Sequence, residues 1–163
     1  MTRHIGCILA IKEGIGFKYL LLHNPDGSWG FVHGPPKVKE GEEQTAVREI
    51  FSQTSKTTDA YDFVPGFKNE SLWYEKAGKP RFEPSITKQS SPLANPQQHQ
   101  ATYYLALCRD KEVTLSEYTG YRWLPFDTCL RHLSKPDADL LLKASQFLGS
   151  KVVKIKRGAL SLF

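Results

Sequence analysis

The chain has 163 residues, 40% of them apolar and 24% charged, which suits one domain with a real core. Its formal net charge of +5 favours anionic partners such as phosphates, nucleotides or RNA. No apolar run approaches the roughly 18–20 residues that cross a bilayer, and no small-residue cleavage site follows the N-terminus. Three scattered cysteines, Cys7, Cys108 and Cys129, carry no metal-ligand spacing and read as buried thiols in a reducing compartment. Together these features predict an intracellular chain, cytoplasmic or nuclear, with no membrane partner.

In chain order, residues 5–12 (IGCILAIK) and 18–23 (KYLLLH) read as strands joined by the two-glycine turn Glu13 to Gly16, a hairpin. Asn24 to Ser28 is a second turn. A helix is predicted from about Gly41 to Thr54, with Glu40, Glu42 and Glu43 at its start, where carboxylates suit the positive end of the dipole. Ala46, Val47, Ile50 and Phe51 fall at helical spacing and are expected to face the core, with Glu49 on another face. Residues 61–76 form an extended stretch, then Lys76 to Pro80 turns. Residues 81–100 are rich in Pro, Ser and Gln and read as a long flexible insertion loop. ATYYLALC (101–108) and TGYRWL (119–124) read as strands. A last helix is predicted over 126–148, with a break at Pro136, the stripe Leu140, Leu141, Ala144, Phe147 and Leu148, and a cap at Gly149. Residues 1–150 then make the domain. Residues 151–163 make a basic tail, a strand or a loose arm, whose segment KVVKIKR supplies much of the charge excess.

The most informative spacing lies within Trp29 to Lys56. Gly34 is followed by five residues and Glu40, then by seven residues and Arg48-Glu49-Ile50. This G-x5-E-x7-R-E-U resembles the front of the Nudix box, where U is aliphatic. The rear of that box asks for glutamate at positions 52 and 53, glycine at 55 and an apolar residue at 56. The chain has Ser52, Gln53, Ser55 and Lys56 there. Further along, Asn69 to Glu75, Gly78-Lys79-Pro80, Tyr103 to Ala106, Leu115-Ser116-Glu117 and Tyr121 to Leu124 resemble, in the same order, the asymmetric diadenosine tetraphosphate hydrolases of that superfamily. The likeness runs from about Gly6 to Leu148 and breaks at 81–100 and in the tail.

The resemblance implies an α/β/α Nudix sandwich with a mixed central sheet. Enzymes of the family usually hold magnesium with box glutamates, and the metal polarises a phosphate oxygen and helps activate the attacking water. Carried over position by position, Glu49 is the remaining metal and catalytic carboxylate. Glu117 matches a carboxylate outside the box that assists metal or water. Lys79 is the phosphate candidate, and Tyr74 and Tyr121 are base-stacking candidates. Gly34, Glu40 and Arg48 are structural box residues, with Arg48 expected to brace the loop by pairing with Glu40. Ser55 implies a less constrained helix exit than glycine would give. The histidines form no ligand spacing and are assigned no catalytic part.

Two function classes follow. In the first, a degenerate member retains a cleft for a nucleotide, a dinucleoside polyphosphate or RNA and hydrolyses weakly or not at all, because Ser52 and Gln53 bring no charge to a metal. In the second, a divergent pyrophosphohydrolase works with Glu49, Glu117 and weakly bound magnesium. A protein–protein adaptor using 81–100 or the basic tail is a third expectation.

Overall fold

In the computed structural model the described residues are 2–74 and 98–158, without the side chains of residues 2, 73, 74 and 151–158. The strands are β1 (Thr2–Glu13), β2 (Gly16–His23), β3 (Trp29–Gly30), β4 (Val32–Gly34), β5 (Tyr61–Phe63), β6 (Asn69–Tyr74), β7 (Gln98–Cys108) and β8 (Gly120–Pro125). The helices are α1 (Glu42–Thr54), α2 (Phe126–Leu130) and α3 (Lys135–Gly158).

One mixed sheet holds all of these strands, in the order β3-β2-β1-β7-β5, with β4 on β1, β6 on β7 and β8 on β2. β1 runs parallel to β7 from Thr2↔His99 to Ile11↔Cys108, and the other pairings are antiparallel. Buried on both faces, β1 reads as a continuous apolar run rather than an alternation, as a central parallel strand should.

Strand period two sorts that run onto two helix layers. Ile8, Ala10, Leu105 and Leu107 face α2 and α3, where they meet Cys129, Leu140, Leu141, Ala144 and Leu148. Cys7, Leu9, Ala106 and Cys108 face the other way, toward Ile50 of α1. Each fully buried leucine or isoleucine contributes about 1.5–3 kcal/mol relative to exposure. The result is a three-layer α/β/α sandwich, and the three cysteines are buried free thiols.

Four expectations need correction. Ala46 and Ile50 are buried as expected, but Phe51 is 55% exposed, and Thr45, Glu49, Gln53 and Thr54 share the buried side of α1. The break near the last helix precedes Pro136: Ser134 donates to the Asp137 side chain, and Pro136 lies in the first turn of α3, where its missing N–H costs nothing. Gly149 does not end α3, which continues through residues 151–158, so that part of the basic tail is neither strand nor loose arm. Residues 98–100, placed in the insertion loop by composition, begin β7. Of the rest of that loop, 81–97 lie outside the described residues. No described helix is long and apolar enough to cross a membrane.

Candidate functional site

The loop from Gly34 to Glu40 carries the sheet edge at β4 into α1. Its anchor is Glu40. Glu40 Oε1 accepts from the Lys37 N–H at 2.9 Å, from Thr45 Oγ1 at 2.8 Å and from Arg48 Nη2 at 2.9 Å, while Oε2 accepts from Arg48 Nε at 2.8 Å. Arg48 Nη2 also donates to the Pro35 carbonyl at 2.9 Å. This forked pair is the bracing that the family resemblance implies, and it holds the Glu40 carboxyl down to about 2.

Arg48 reaches a second carboxylate. Its Nη1 donates to Glu49 Oε2 at 2.6 Å, and the other Glu49 oxygen, Oε1, accepts from Gln53 Nε2 at 2.7 Å. Glu49 is 9% exposed and Gln53 7%. Gln53 Nε2 donates again, to the His33 carbonyl of β4 at 2.9 Å, and Gln53 Oε1 accepts from the Tyr118 hydroxyl at 2.8 Å. Residues one helical turn apart on α1 and the rim of β4 thus form one hydrogen-bonded chain, Glu40–Arg48–Glu49–Gln53–Tyr118.

The helix exit also departs from expectation. Ser55 adopts φ 66 and ψ 13, the left-handed conformation that a glycine would take there. The strain of a non-glycine residue in that region is about 1–2 kcal/mol. Ser55 Oγ offsets part of it by donating to the Thr114 carbonyl at 3.0 Å. Lys56, at the position the box reserves for an apolar residue, is buried, and its Nζ donates to Asp110 Oδ1 and to the Asp110 carbonyl, each at 3.0 Å. Its ammonium also lies 5.8 Å from the Trp123 ring centre.

The remaining candidates are spread out. Glu117 is exposed on the segment between β7 and β8, beside Tyr118. Tyr121, 39% exposed, pairs with Leu22 on the β8 edge. Tyr74 pairs with Gln98 at the β6 edge, and its side chain lies outside the described residues, as Lys79 does. From β8 across β2, β1 and β7 to β6 is four strand spacings, about 19 Å at 4.8 Å per strand. The two tyrosines thus stand on strands four spacings apart.

Three histidines without any spacing in sequence meet beside this loop. His4 Nδ1 lies 2.8 Å from His33 Nδ1, so one ring donates its proton to the other, and the His99 ring stands edge-on to His4 at 6.4 Å. Burial pushes His33 down to about 4. The pairings Gly6↔His33, Thr2↔His99 and His4↔Ala101 put all three on the α3 side of the sheet, a proximity that only strand register reveals.

Magnesium asks for several oxygen ligands with net negative charge. Among the described residues no three His, Cys, Asp or Glu side chains are arranged to hold a metal. Both Glu49 oxygens already accept hydrogen bonds, and Ser52 and Gln53 are neutral. Among the described residues, those at this site do not fit a resident magnesium ion.

With this geometry in place, comparison with solved structures is specific about the fold. A Caenorhabditis elegans Ap4A hydrolase in a binary complex superposes with a TM-score of 0.76 at 19% identity, covering 92% of this chain and 99% of that one. The Escherichia coli dihydroneopterin triphosphate pyrophosphohydrolase gives 0.66 at 13% identity, covering 88% and 94%. The Nudix domain of Shewanella oneidensis NrtR, complexed with ADP ribose, gives 0.61 at 17% identity, covering 91% and 88%. No protein-family model and no curated protein sequence matches the chain. The chain has the Nudix fold, and the likeness to the diadenosine tetraphosphate hydrolases read from its sequence holds at the level of that fold.

Proposed function

We propose that this chain is a nucleotide-binding protein of the Nudix fold, with a dinucleoside polyphosphate as the favoured ligand, in which hydrolysis is weak or lost. The observation that carries the reading is the side chain of Gln53, a buried amide bonded to Glu49 where the box pattern asks for a second carboxylate. Metal-assisted hydrolysis needs a cation to lower the pKa of the attacking water and to stabilise charge on phosphate. One carboxylate already engaged by Arg48 and an amide is a poor holder for it. Magnesium enters, on this reading, only as the weakly held counter-ion of the ligand's phosphates. Glu117, exposed between β7 and β8, is one carboxylate where the box pattern has two.

Fold neighbours act on Ap4A or bind ADP ribose, which supports a nucleotide as the ligand class. The four strand spacings between the Tyr74 and Tyr121 positions favour a ligand with a base at each end over a mononucleotide, and Lys79 is the phosphate candidate that the family resemblance implies. RNA presents the same stacking faces and charge. A protein partner would use 81–100 or the basic C-terminal segment instead.

Calorimetry with a methylene-bridged diadenosine tetraphosphate tests the reading. Binding in the presence of chelator is expected, weakened by about 1–3 kcal/mol in Tyr121→Ala and measurably in Lys79→Ala. No binding, or affinity unchanged in both variants, would remove this ligand class. Tighter binding of a single-stranded oligonucleotide would replace it with RNA.

A further inference from the structure

We propose that the Gln53 amide is a permanent substitute for a cation in this box. It cross-links the Glu49 carboxylate to the backbone of β4, and the segment between β7 and β8 holds it there through Tyr118. This deepens the binding reading by making recognition independent of divalent ions. Its test contains no nucleotide, so either claim can fail alone.

The chemistry of the four partners fixes the arrangement. A carboxamide presents two N–H donors on one side and one carbonyl acceptor on the other. The carboxylate of Glu49 and the carbonyl of His33 only accept, so Nε2 must face both, at 2.7 and 2.9 Å. Oε1 is then turned to Tyr118, whose hydroxyl donates at 2.8 Å. The 7% exposed side chain is satisfied without water or ion. A glutamate in its place would put carboxylate oxygen against Glu49 Oε1 and against the His33 carbonyl, contacts that a bound cation would reconcile.

A second observation points the same way. The last turn of α1, which carries the departures from the box pattern, is also where the β7–β8 segment is tied on. Thr114 N–H donates to the Thr54 carbonyl at 2.9 Å, Ser55 Oγ to the Thr114 carbonyl at 3.0 Å, Ser116 Oγ to the Ser52 carbonyl at 2.8 Å, and Tyr118 to Gln53. The side chains of both Gln53 and Ser55 therefore serve this one segment. At 53 an amide stands where the pattern has a carboxylate, and it accepts a hydrogen bond from the segment that Ser55 also holds.

The experiment is thermal unfolding of wild type and Gln53→Glu, each in chelator and in millimolar magnesium, together with manganese binding followed by water-proton relaxation. Wild type is expected to unfold at the same temperature in both buffers and to leave the relaxation of manganese unchanged. Gln53→Glu is expected to melt lower than wild type in chelator, to recover in magnesium and to bind manganese at least tenfold more tightly than wild type. Wild type that gains as much from magnesium as the variant does, or a variant as stable as wild type in chelator and indifferent to metal, overturns the proposal. Should Gln53→Glu not fold, the manganese titration of wild type still decides, since specific binding there contradicts it. Tyr118→Phe then supplies the second arm: it is expected to melt below wild type while staying indifferent to metal, and an unchanged melting temperature would remove Tyr118 from the device.

Discussion

The Glu49 carboxyl group fills the space that a side chain on Gly34 would occupy: a Cβ there would lie 2.7 Å from Glu49 Oε1 and closer still to Oε2 and Cδ. Those atoms are the end of a flexible side chain, but the end is held by Arg48 and Gln53. Gly34→Ala must therefore expel the carboxylate and leave its partners short of an acceptor. The expected cost is about 1–3 kcal/mol in denaturant unfolding. In a Glu49→Ala background most of that cost should vanish, and a double-mutant cycle reads the coupling directly. Additive losses would show that Gly34 matters for another reason.

Acid should act on the loop through Glu40. Its carboxyl is held at about 2, below the ordinary 4.5, by the Arg48 guanidinium, the Lys37 N–H and Thr45. A folded-state pKa below the unfolded one contributes stability that is present above pH 4.5 and is lost as pH falls through the folded value. The stability difference between wild type and Glu40→Gln should be constant above about pH 5 and shrink between pH 4.5 and 2. Equilibrium unfolding across that range checks it. A difference that does not change with pH would mean that the pairing contributes no linkage.

Much of this arrangement was legible in the sequence. The box front marked α1 to within a residue, and the Glu40–Arg48 pair is the one that the family resemblance implies. Apolar periodicity found Ala46 and Ile50 on the buried side of α1 but added the exposed Phe51, and it cannot count Glu49 or Gln53. Gln53 is satisfied there by the His33 carbonyl of β4 and by Tyr118, both distant in sequence, and Glu49 by Arg48 and Gln53. The cluster of His4, His33 and His99 was hidden for the same reason, since strand register and not spacing brings the rings together. In the last helix Val152, Val153 and Ile155 read locally as strand, and Gly149 as a stop, yet α3 carries on through both. Local propensity is a weak signal when a helix is already propagating.

Lys56 offers a test of a buried charge where the box pattern is apolar. Its side chain is 2% exposed, whereas that of its partner Asp110 is 51% exposed. Removing the cation leaves an aspartate that water can solvate, so Lys56→Met should change stability by no more than about 1 kcal/mol in either direction. Asp110→Ala strands the ammonium with one carbonyl and the Trp123 face and should cost about 1–3 kcal/mol. The opposite order in chemical unfolding would mean that Lys56 contributes more through its own packing than through the pair.

The most direct test of the loss of hydrolysis is release of product from diadenosine tetraphosphate in magnesium and in manganese. Wild type, Glu49→Gln and the double variant Ser52→Glu with Gln53→Glu are compared. At 49, 52 and 53 the double variant presents three carboxylates at helix spacings of three and four, one face of α1. Wild type presents one charge there, already bonded to Arg48 and Gln53. The expected result is little or no turnover by wild type, no further effect of Glu49→Gln, and metal binding with some turnover in the double variant. Robust wild-type turnover that Glu49→Gln abolishes would contradict the account and establish Glu49 as the carboxylate of an active hydrolase.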